Sequence, residues 1–207
     1  MTAEKINSLL APFLASSSLA LKQVEQIQLY LDLLLKWNSK VNLTAIRSEE
    51  EIVTRHFGES FFAARQITKI APSLASALDL GSGAGFPGLP IKIWSPEIKL
   101  VLVESNHKKA AFLREAVRSL DLANSEVMAI RAEELKSKFD FVTLRAVERF
   151  ESILPIAAGL LQNRGSLALL VGKTQIKAAQ RILPRLAWSE AIPVPGSTQR
   201  VLVVGKS

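Results

Sequence analysis

ALDLGSGAGFPG, residues 77–88, runs from an apolar segment carrying an acid, Asp79, into a glycine-dense turn and out toward a helix beginning near Leu89. Without Cβ atoms at Gly81, Gly83 and Gly85 the chain can turn tightly and let a ligand lie against its backbone. Strand, glycine loop and helix form the opening unit of a nucleotide-binding α/β sheet, with the ligand at the carboxyl end of the strand. Gly83, Gly85 and Gly88 also satisfy G-x-G-x-x-G, so a dinucleotide is one candidate occupant. A purely structural turn is the plain alternative. Four glycines in the eight residues 81–88, between two acid-tipped strands, argue against it.

Beyond this loop, short apolar runs alternate with amphipathic stretches. The runs at 76–80, 98–104, 127–130, 139–144, 165–171 and 200–205 read as strands, and most are separated by ten to twenty residues of helical pattern. In AAFLREAVRSLDL, Phe112, Leu113, Ala116 and Val117 share one face while Arg114, Glu115 and Arg118 point away. Strands apolar on both faces and alternating with helices predict a mostly parallel sheet covered on both sides. The loop VPGST is too short for a crossover, so the last strand is expected to run antiparallel, pairing with a segment near 188–193.

Before residue 72 the periodicity is helical. Leu21, Val24, Ile27, Leu31 and Leu34 fall on one stripe. Ser48 and Glu51 read as a capping box opening a helix from about Glu49 to Lys69, closed before Pro72. The chain therefore divides into a helical N-terminal extension, 1–71, and an α/β core, 72–207.

Two features favour S-adenosylmethionine over a dinucleotide. Asp79 stands two residues before the first glycine, where a carboxylate repels a pyrophosphate but attracts an ammonium or sulfonium. Glu104 closes the next strand, placed to hold ribose hydroxyls, which suits either ligand. Glu133, in the RAEE segment after the third strand, can reach an adenine amino group or simply favour a helix dipole. Arg145 ends the fourth strand at the ligand-binding edge, where it faces the site or pairs with Asp79 or Glu104.

The chain has 207 residues, no cysteine and a net charge of +7. Absence of cysteine removes disulfides and thiol nucleophiles and fits a reducing, cytoplasmic setting. No apolar run is long enough to span a membrane. Nothing in the sequence demands more than a monomer. From Arg164 onward seven Lys or Arg stand against Glu190 alone, so +6 of the net charge lies in the last fifth of the chain. That suits a polyanion partner or, more plainly, a solvated basic face. His56 and His107 are too isolated for a metal site; His56 is expected to serve as a structural hydrogen-bonding group and His107 to be exposed. Trp37, Trp94 and Trp188 are read as packing residues.

The target atom is narrowed by what is missing. A cysteine adduct on a pyrimidine ring carbon is excluded. The polar-Pro-Pro-aromatic clamp used on exocyclic amines is replaced by LRAV at 144–147. A purine ring nitrogen carries a free lone pair and needs alignment without proton removal. Ring nitrogen, ribose 2′-oxygen and small-molecule acceptors all stay open on the residues alone.

LLKWNSKVNLTAI (34–46), RHFGES (55–60), LDLGSGAGFPGLPI (78–91), RAEE (131–134) and LRAV (144–147) together resemble the bacterial small-subunit rRNA guanine-N7 methyltransferase family (RsmG, also GidB). The resemblance runs from about Leu31 to Val171. It implies a Rossmann-like, seven-stranded class I S-adenosylmethionine-dependent methyltransferase core and methylation of guanine N7 in 16S rRNA, on free RNA, an assembly intermediate or the small ribosomal subunit. It implies that Gly81, Gly83 and Phe86 line the cofactor site with Asp79 near the methionine end. Glu104 would hold the ribose, Ala132 and Glu133 the adenine, and Arg145 would lie beside the cofactor or target base as the catalytic candidate. Asn38, Asn42 and His56 belong to the family's N-terminal signature. Glu59-Ser60-Phe61 departs from the family's Asp-Ser-Leu, keeping the charge, and Gly172-Lys173 reverses its Lys-Gly.

Overall fold

An amphipathic helix must bury its stripe against something, and the first four helices here bury theirs against the sheet rather than each other alone. In the computed structural model, which describes residues 1–72, 75–147 and 149–207, the N-terminal third folds as α1 (Ala3–Leu14), α2 (Leu21–Asn38), α3 (Glu49–Ile52), a π-helical turn (Val53–Gly58) and α4 (Glu59–Ile70). Val24, Ile27, Leu31 and Leu34 are buried as the stripe predicts; Leu21, the first residue of α2, is 72% exposed because the helix end overhangs the packed surface. Only half the expected capping box forms: Ser48 Oγ accepts from the Glu51 N–H at 3.4 Å, but the Glu51 carboxylate turns to Arg55 at 2.7 Å.

The rest of the chain builds β1 (Ser76–Leu80), α5 (Gly88–Trp94), β2 (Lys99–Val103), α6 (His107–Ser119), β3 (Ser125–Met128), a 3₁₀ turn (Ala132–Glu134), β4 (Phe139–Arg145), α7 (Phe150–Gly159), β5 (Leu161–Gly172), α8 (Lys173–Ile182), β6 (Ala187–Trp188), β7 (Ile192–Pro193) and β8 (Arg200–Lys206). The sheet order is β3-β2-β1-β4-β5-β8-β6, with β7 also on β8. β1 to β5 are parallel, and β8 runs antiparallel to β5, β6 and β7. The segment near 188–193 expected to pair with the last strand is thus present as two short pieces, Ala187–Trp188 and Ile192–Pro193, on the same edge of β8. Pro193 cannot donate to a ladder, which confines it to such an edge.

β3 begins two residues earlier than its apolar run, at Ser125, because an edge strand half open to solvent tolerates polar positions. β5 begins at Leu161, and its register on β4 jumps from Phe139↔Leu161 to Phe141↔Ser166 across a bulge containing Arg164 at φ +64°.

Two apolar clusters cover the sheet. One joins α7 and α8 to Leu78, Val142, Leu144, Leu167 and Leu169. The other joins Ile6 and Leu10 of α1, Ile27 and Leu31 of α2, and Phe61 and Ile67 of α4 to Leu89, Leu102, Phe112 and Ala116. The extension therefore has no separate core; it completes the layer over one face of the sheet. The order in which strands are laid down reverses between β1 and β4, which opens a crevice at the carboxyl edge where the glycine loop lies.

Candidate functional site

A cavity of about 670 Å³ opens at this edge, within the range typical of small-molecule and cofactor sites. Its wall includes Gly81, Gly83, Phe86, Glu104, Ala132, Glu133 and Arg145, so the structure gathers seven of the eight predicted site residues around one space. The loop glycines divide the work. A Cβ on Gly83, at φ +55°, would meet nothing nearer than the Gly81 carbonyl at 3.9 Å, so its missing side chain leaves room on the cavity side. A Cβ on Gly88 would strike Asp79 and Leu102 at 2.7 Å, so that glycine serves packing.

Glu104 is 8% exposed at the end of β2. Its Oε2 accepts from the Gly83 N–H at 2.9 Å and its Oε1 from the Asn106 N–H at 2.8 Å, which fixes the carboxylate at the loop. Ala132 and Glu133 lie in the 3₁₀ turn on the far wall, with Glu133 exposed.

Asp79 is the exception. It is 1% exposed and lies off the cavity wall, behind the loop. Its Oδ1 accepts from Thr143 Oγ1 at 2.8 Å and its Oδ2 from the Gly88 N–H at 3.2 Å. The expected orientation of its charge toward a ligand is therefore not what the geometry gives: the carboxylate braces the start of α5 against β4. Burial raises its pKa to about 6, against the lowering effect of its hydrogen bonds.

Arg145 pairs with neither Asp79 nor Glu104. Its Nη2 donates to the Arg55 carbonyl at 2.6 Å, His56 Nδ1 at 3.2 Å and Glu59 Oε2 at 3.2 Å. The π turn makes this possible. In a regular helix the Glu59 N–H would bond to the Arg55 carbonyl; here it goes to the His56 carbonyl, and the Arg55 carbonyl receives the guanidinium. Because a guanidinium only donates, His56 Nδ1 is the acceptor and Nε2–H is left to donate to Thr44 Oγ1 at 2.7 Å. Burial and nearby arginines lower the His56 pKa to about 3, so the ring is neutral, the hydrogen-bonding residue the sequence suggested. Asn38 sets the height of Thr44: its Oδ1 accepts from the Leu43 and Thr44 N–H groups at 2.9 and 3.0 Å. Asn42 is exposed.

Phe86 is held by aromatic neighbours from the extension. Tyr30 stacks on it with centroids 5.1 Å apart and His56 with centroids 4.9 Å apart, while Phe57 meets it edge-on at 5.0 Å. The Tyr30 hydroxyl donates to the Ala84 carbonyl. Trp37 and Trp94 pack against Phe112 and Phe61, and Trp188 donates Nε1–H to the Leu183 carbonyl. His107 is exposed at the start of α6.

Sequence reasoning missed Tyr30, Thr143, Glu59 and Arg200. Glu59 is 2% exposed, bonded to Arg145 and, through its Oε1, to Arg200 Nη2. A signal existed: in HFGESFFAA it is the one ionised residue in an otherwise apolar and small run. Tyr30, the only tyrosine, stands in a leucine stripe. Arg200 and Thr143 give no local sign. The basic C-terminal fifth does not make one face. Lys173 and Arg200 flank the carboxyl edge of β5, whereas Arg164 and Lys206 lie at its opposite end. Among the described residues no group of three His, Cys, Asp or Glu could hold a metal, and no helix is long and apolar enough to cross a membrane.

The fold recurs in solved structures of low identity. A SAM-dependent methyltransferase from Aquifex aeolicus matches with TM-score 0.55 at 16% identity, over 69% of this chain and 88% of that one. M. jannaschii TYW2 in complex with AdoMet matches with TM-score 0.56 at 16% identity, over 72% and 74%. In sequence, the ribosomal RNA small subunit methyltransferase G of Roseiflexus sp. (strain RS-1) is 40% identical across 88% of this chain and 82% of its own length. That of Chromobacterium violaceum is 37% identical across 83% and 81%. A family model described as rRNA small subunit methyltransferase G matches residues 23–192, which hold the glycine loop, both acid-tipped strands and the π turn under Arg145: the chain belongs to the rRNA small subunit methyltransferase G family.

Proposed function

We propose that the protein transfers the methyl group of S-adenosylmethionine to N7 of a guanine in 16S ribosomal RNA. The observation that carries this reading is the cradle at the sheet's carboxyl edge, where Gly83 leaves open space beside the fixed Glu104 carboxylate, in a chain of this family. The residues present fit the cofactor. Glu104 offers a carboxylate to ribose hydroxyls, Ala132 and Glu133 line the adenine end, and Gly81, Gly83 and Phe86 form the floor beside the methionine end. Bound there, S-adenosylmethionine supplies an electrophilic methyl group on a sulfonium centre.

The purine N7 lone pair lies free in the ring plane. A methyl group placed on that lone pair would require alignment of the base and no proton removal. The wall matches that need: its histidine, His56, is neutral and engaged at both nitrogens. The protein's task is then to align the base, and Arg145, at the wall, can do so. Residues 1–71 act as part of the site, because Leu43 and His56 line the cavity. The substrate, whether free RNA, assembling particle or small subunit, is met in the cytoplasm.

The test is transfer of a labelled methyl group to 16S rRNA and to small subunits from cells lacking this modification, followed by nucleoside analysis. Label in 7-methylguanosine is expected. Label in another nucleoside, or cofactor binding with no RNA labelling in either substrate, would overturn the reading.

A further inference from the structure

Glu59 is out of place by composition: a carboxylate 2% exposed, on a helix whose neighbours Phe57, Phe61 and Phe62 are buried. A buried charge persists when it is paired and hydrogen-bonded, and Glu59 is paired twice. Its Oε2 takes Arg145 Nη2 at 3.2 Å and its Oε1 takes Arg200 Nη2. Arg145 closes β4 and Arg200 opens β8, so one carboxylate from the N-terminal extension ties together two strands of the sheet's carboxyl edge.

We propose that Glu59 is a positioning residue for the methyl transfer: from the centre of the Arg145–Glu59–Arg200 triplet it holds Nη2 of Arg145, aims the rest of the guanidinium into the cavity and offsets part of its charge. This rests on the reading of the site as a guanine-N7 methyltransferase centre. All described protein bonds of Arg145 run through one nitrogen, Nη2. Nε and Nη1 take no partner among the described residues, and the side chain as a whole is 12% exposed. The residue also lines the cavity, so with Nη2 engaged the remaining N–H groups offer single donors, Nη1 among them, to an acceptor such as a purine edge or a phosphate. The reaction moves a positive charge from sulfur to the purine ring. A bare guanidinium beside that ring would oppose the transfer, and the Glu59 carboxylate, shared with Arg200, weakens that opposition. Burial presses the Arg145 guanidinium toward its neutral form, and Glu59 is the strongest charge opposing that pressure. Arg200 lies off the cavity wall, and its Nε is buried without a partner. A donor left orphaned is a sign that its geometry is set by the ion pair rather than by hydrogen-bond satisfaction.

The test uses the full chain, S-adenosylmethionine and the RNA substrate that the wild type methylates. Glu59→Gln keeps the shape and removes the charge. It is expected to leave the cofactor Kd and the RNA KM within about threefold while kcat falls about a hundredfold, the scale of an ångström-sized misplacement. Glu59→Asp, retaining the charge, recovers a large part of that loss. Arg200→Gln, changed on the far side of Glu59, lowers kcat about tenfold in the same pattern. In an Arg145→Lys background, Glu59→Gln adds little further loss, because the residue it acts through is already altered. Unchanged kcat in Glu59→Gln, a loss confined to RNA KM, or full additivity in the Arg145→Lys background would overturn the positioning role. If Glu59→Gln fails to fold, Arg200→Gln and its KM–kcat split decide alone. A wild-type protein that leaves guanine N7 unmethylated would instead overturn the underlying reading, whatever the variants do.

Discussion

Replacing Asp79 by asparagine should stabilise the protein at neutral pH, by an amount that shrinks on acidification. The side chain is 1% exposed, and burial raises its pKa from 3.8 to about 6. A carboxyl group whose folded pKa lies above its unfolded value contributes stability that is fully present below pH 3.8 and lost as pH rises through 6. Linkage then puts the cost of ionised Asp79 at about 3 kcal/mol near pH 7.5, of which roughly half is regained by pH 5. Asparagine can meet every existing partner. Its Oδ1 can accept from the Gly88 N–H, and its Nδ2 can donate to Thr143 Oγ1, whose own proton goes to the Leu78 carbonyl it already faces at 3.3 Å. Urea titrations of wild type and Asp79→Asn at pH 7.5 and pH 5 should therefore show a stability gap favouring the variant, and that gap should narrow by roughly half at the lower pH. A gap independent of pH would refute the argument, because it would mean that Asp79 does not titrate from a buried, neutral-favouring state. A wild type more stable than the variant at pH 7.5 would show that its hydrogen bonds outweigh desolvation.

Gly83→Val places a side chain in the open space of the cradle and imposes φ +55° on a branched residue; the variant should fold with a modest stability loss while its S-adenosylmethionine Kd, read by calorimetry, rises at least about a hundredfold, on the scale of the lost ribose and backbone contacts. Normal binding would displace the pocket. Tyr30→Phe strands the Ala84 carbonyl inside the protein and should cost about 1–3 kcal/mol in chemical denaturation, with none lost if water replaces the hydroxyl. His56, with its pKa near 3, should show a neutral Nε2–H tautomer by nitrogen NMR from pH 5 to 8, and titration within that window would break the assigned link to Arg145. Lys173→Glu and Lys177→Glu together, exposed on α8, should weaken RNA binding and flatten its salt dependence; an unchanged slope would place the RNA elsewhere.

The sheet was legible because its strands are buried on both sides and so carry runs of Val, Leu and Phe that no helix face dilutes. The site was legible where chemistry needs a residue type at a fixed chain position: glycine for the loop, acids at the ends of two strands, an arginine at the end of the fourth. What could not be read was orientation. Asp79 occupies the expected position but turns away from the cavity, because Thr143, 64 residues later, and the Gly88 N–H both take its carboxylate. The partner of Arg145 was equally hidden, since it depends on a π turn that leaves no mark on a 3.6-residue pattern. The clustering of C-terminal lysines and arginines divides in space, because β8 doubles back along β5 and carries Arg200 and Lys206 to opposite ends of it.

These orientations bear on what the N-terminal helices are for. A glycine loop gains its tight turn at the expense of rigidity, since glycine restrains its own backbone least. Here the restraint comes from outside the core: Tyr30 and His56 stack on Phe86, and the Tyr30 hydroxyl holds the Ala84 carbonyl. A Cβ at Gly85 would strike both Tyr30 and Leu89, so the loop is moulded against α2 as closely as against its own helix. The same extension supplies Glu59 to Arg145. The glycine loop at the cavity and Arg145 are thus both held by residues 1–71, and the two halves of the proposed site depend on one buried layer, from Ile27 and Leu31 to Leu89 and Phe112. Loosening that layer at a residue remote from the cavity should therefore weaken cofactor binding and turnover together, not one without the other. Phe112→Ala, removing a fully buried ring that lies 6.3 Å from Tyr30, should cost about 3–5 kcal/mol of stability and raise the cofactor Kd while lowering kcat. A variant that lost stability but kept both constants would show that the helices support the fold without shaping the site.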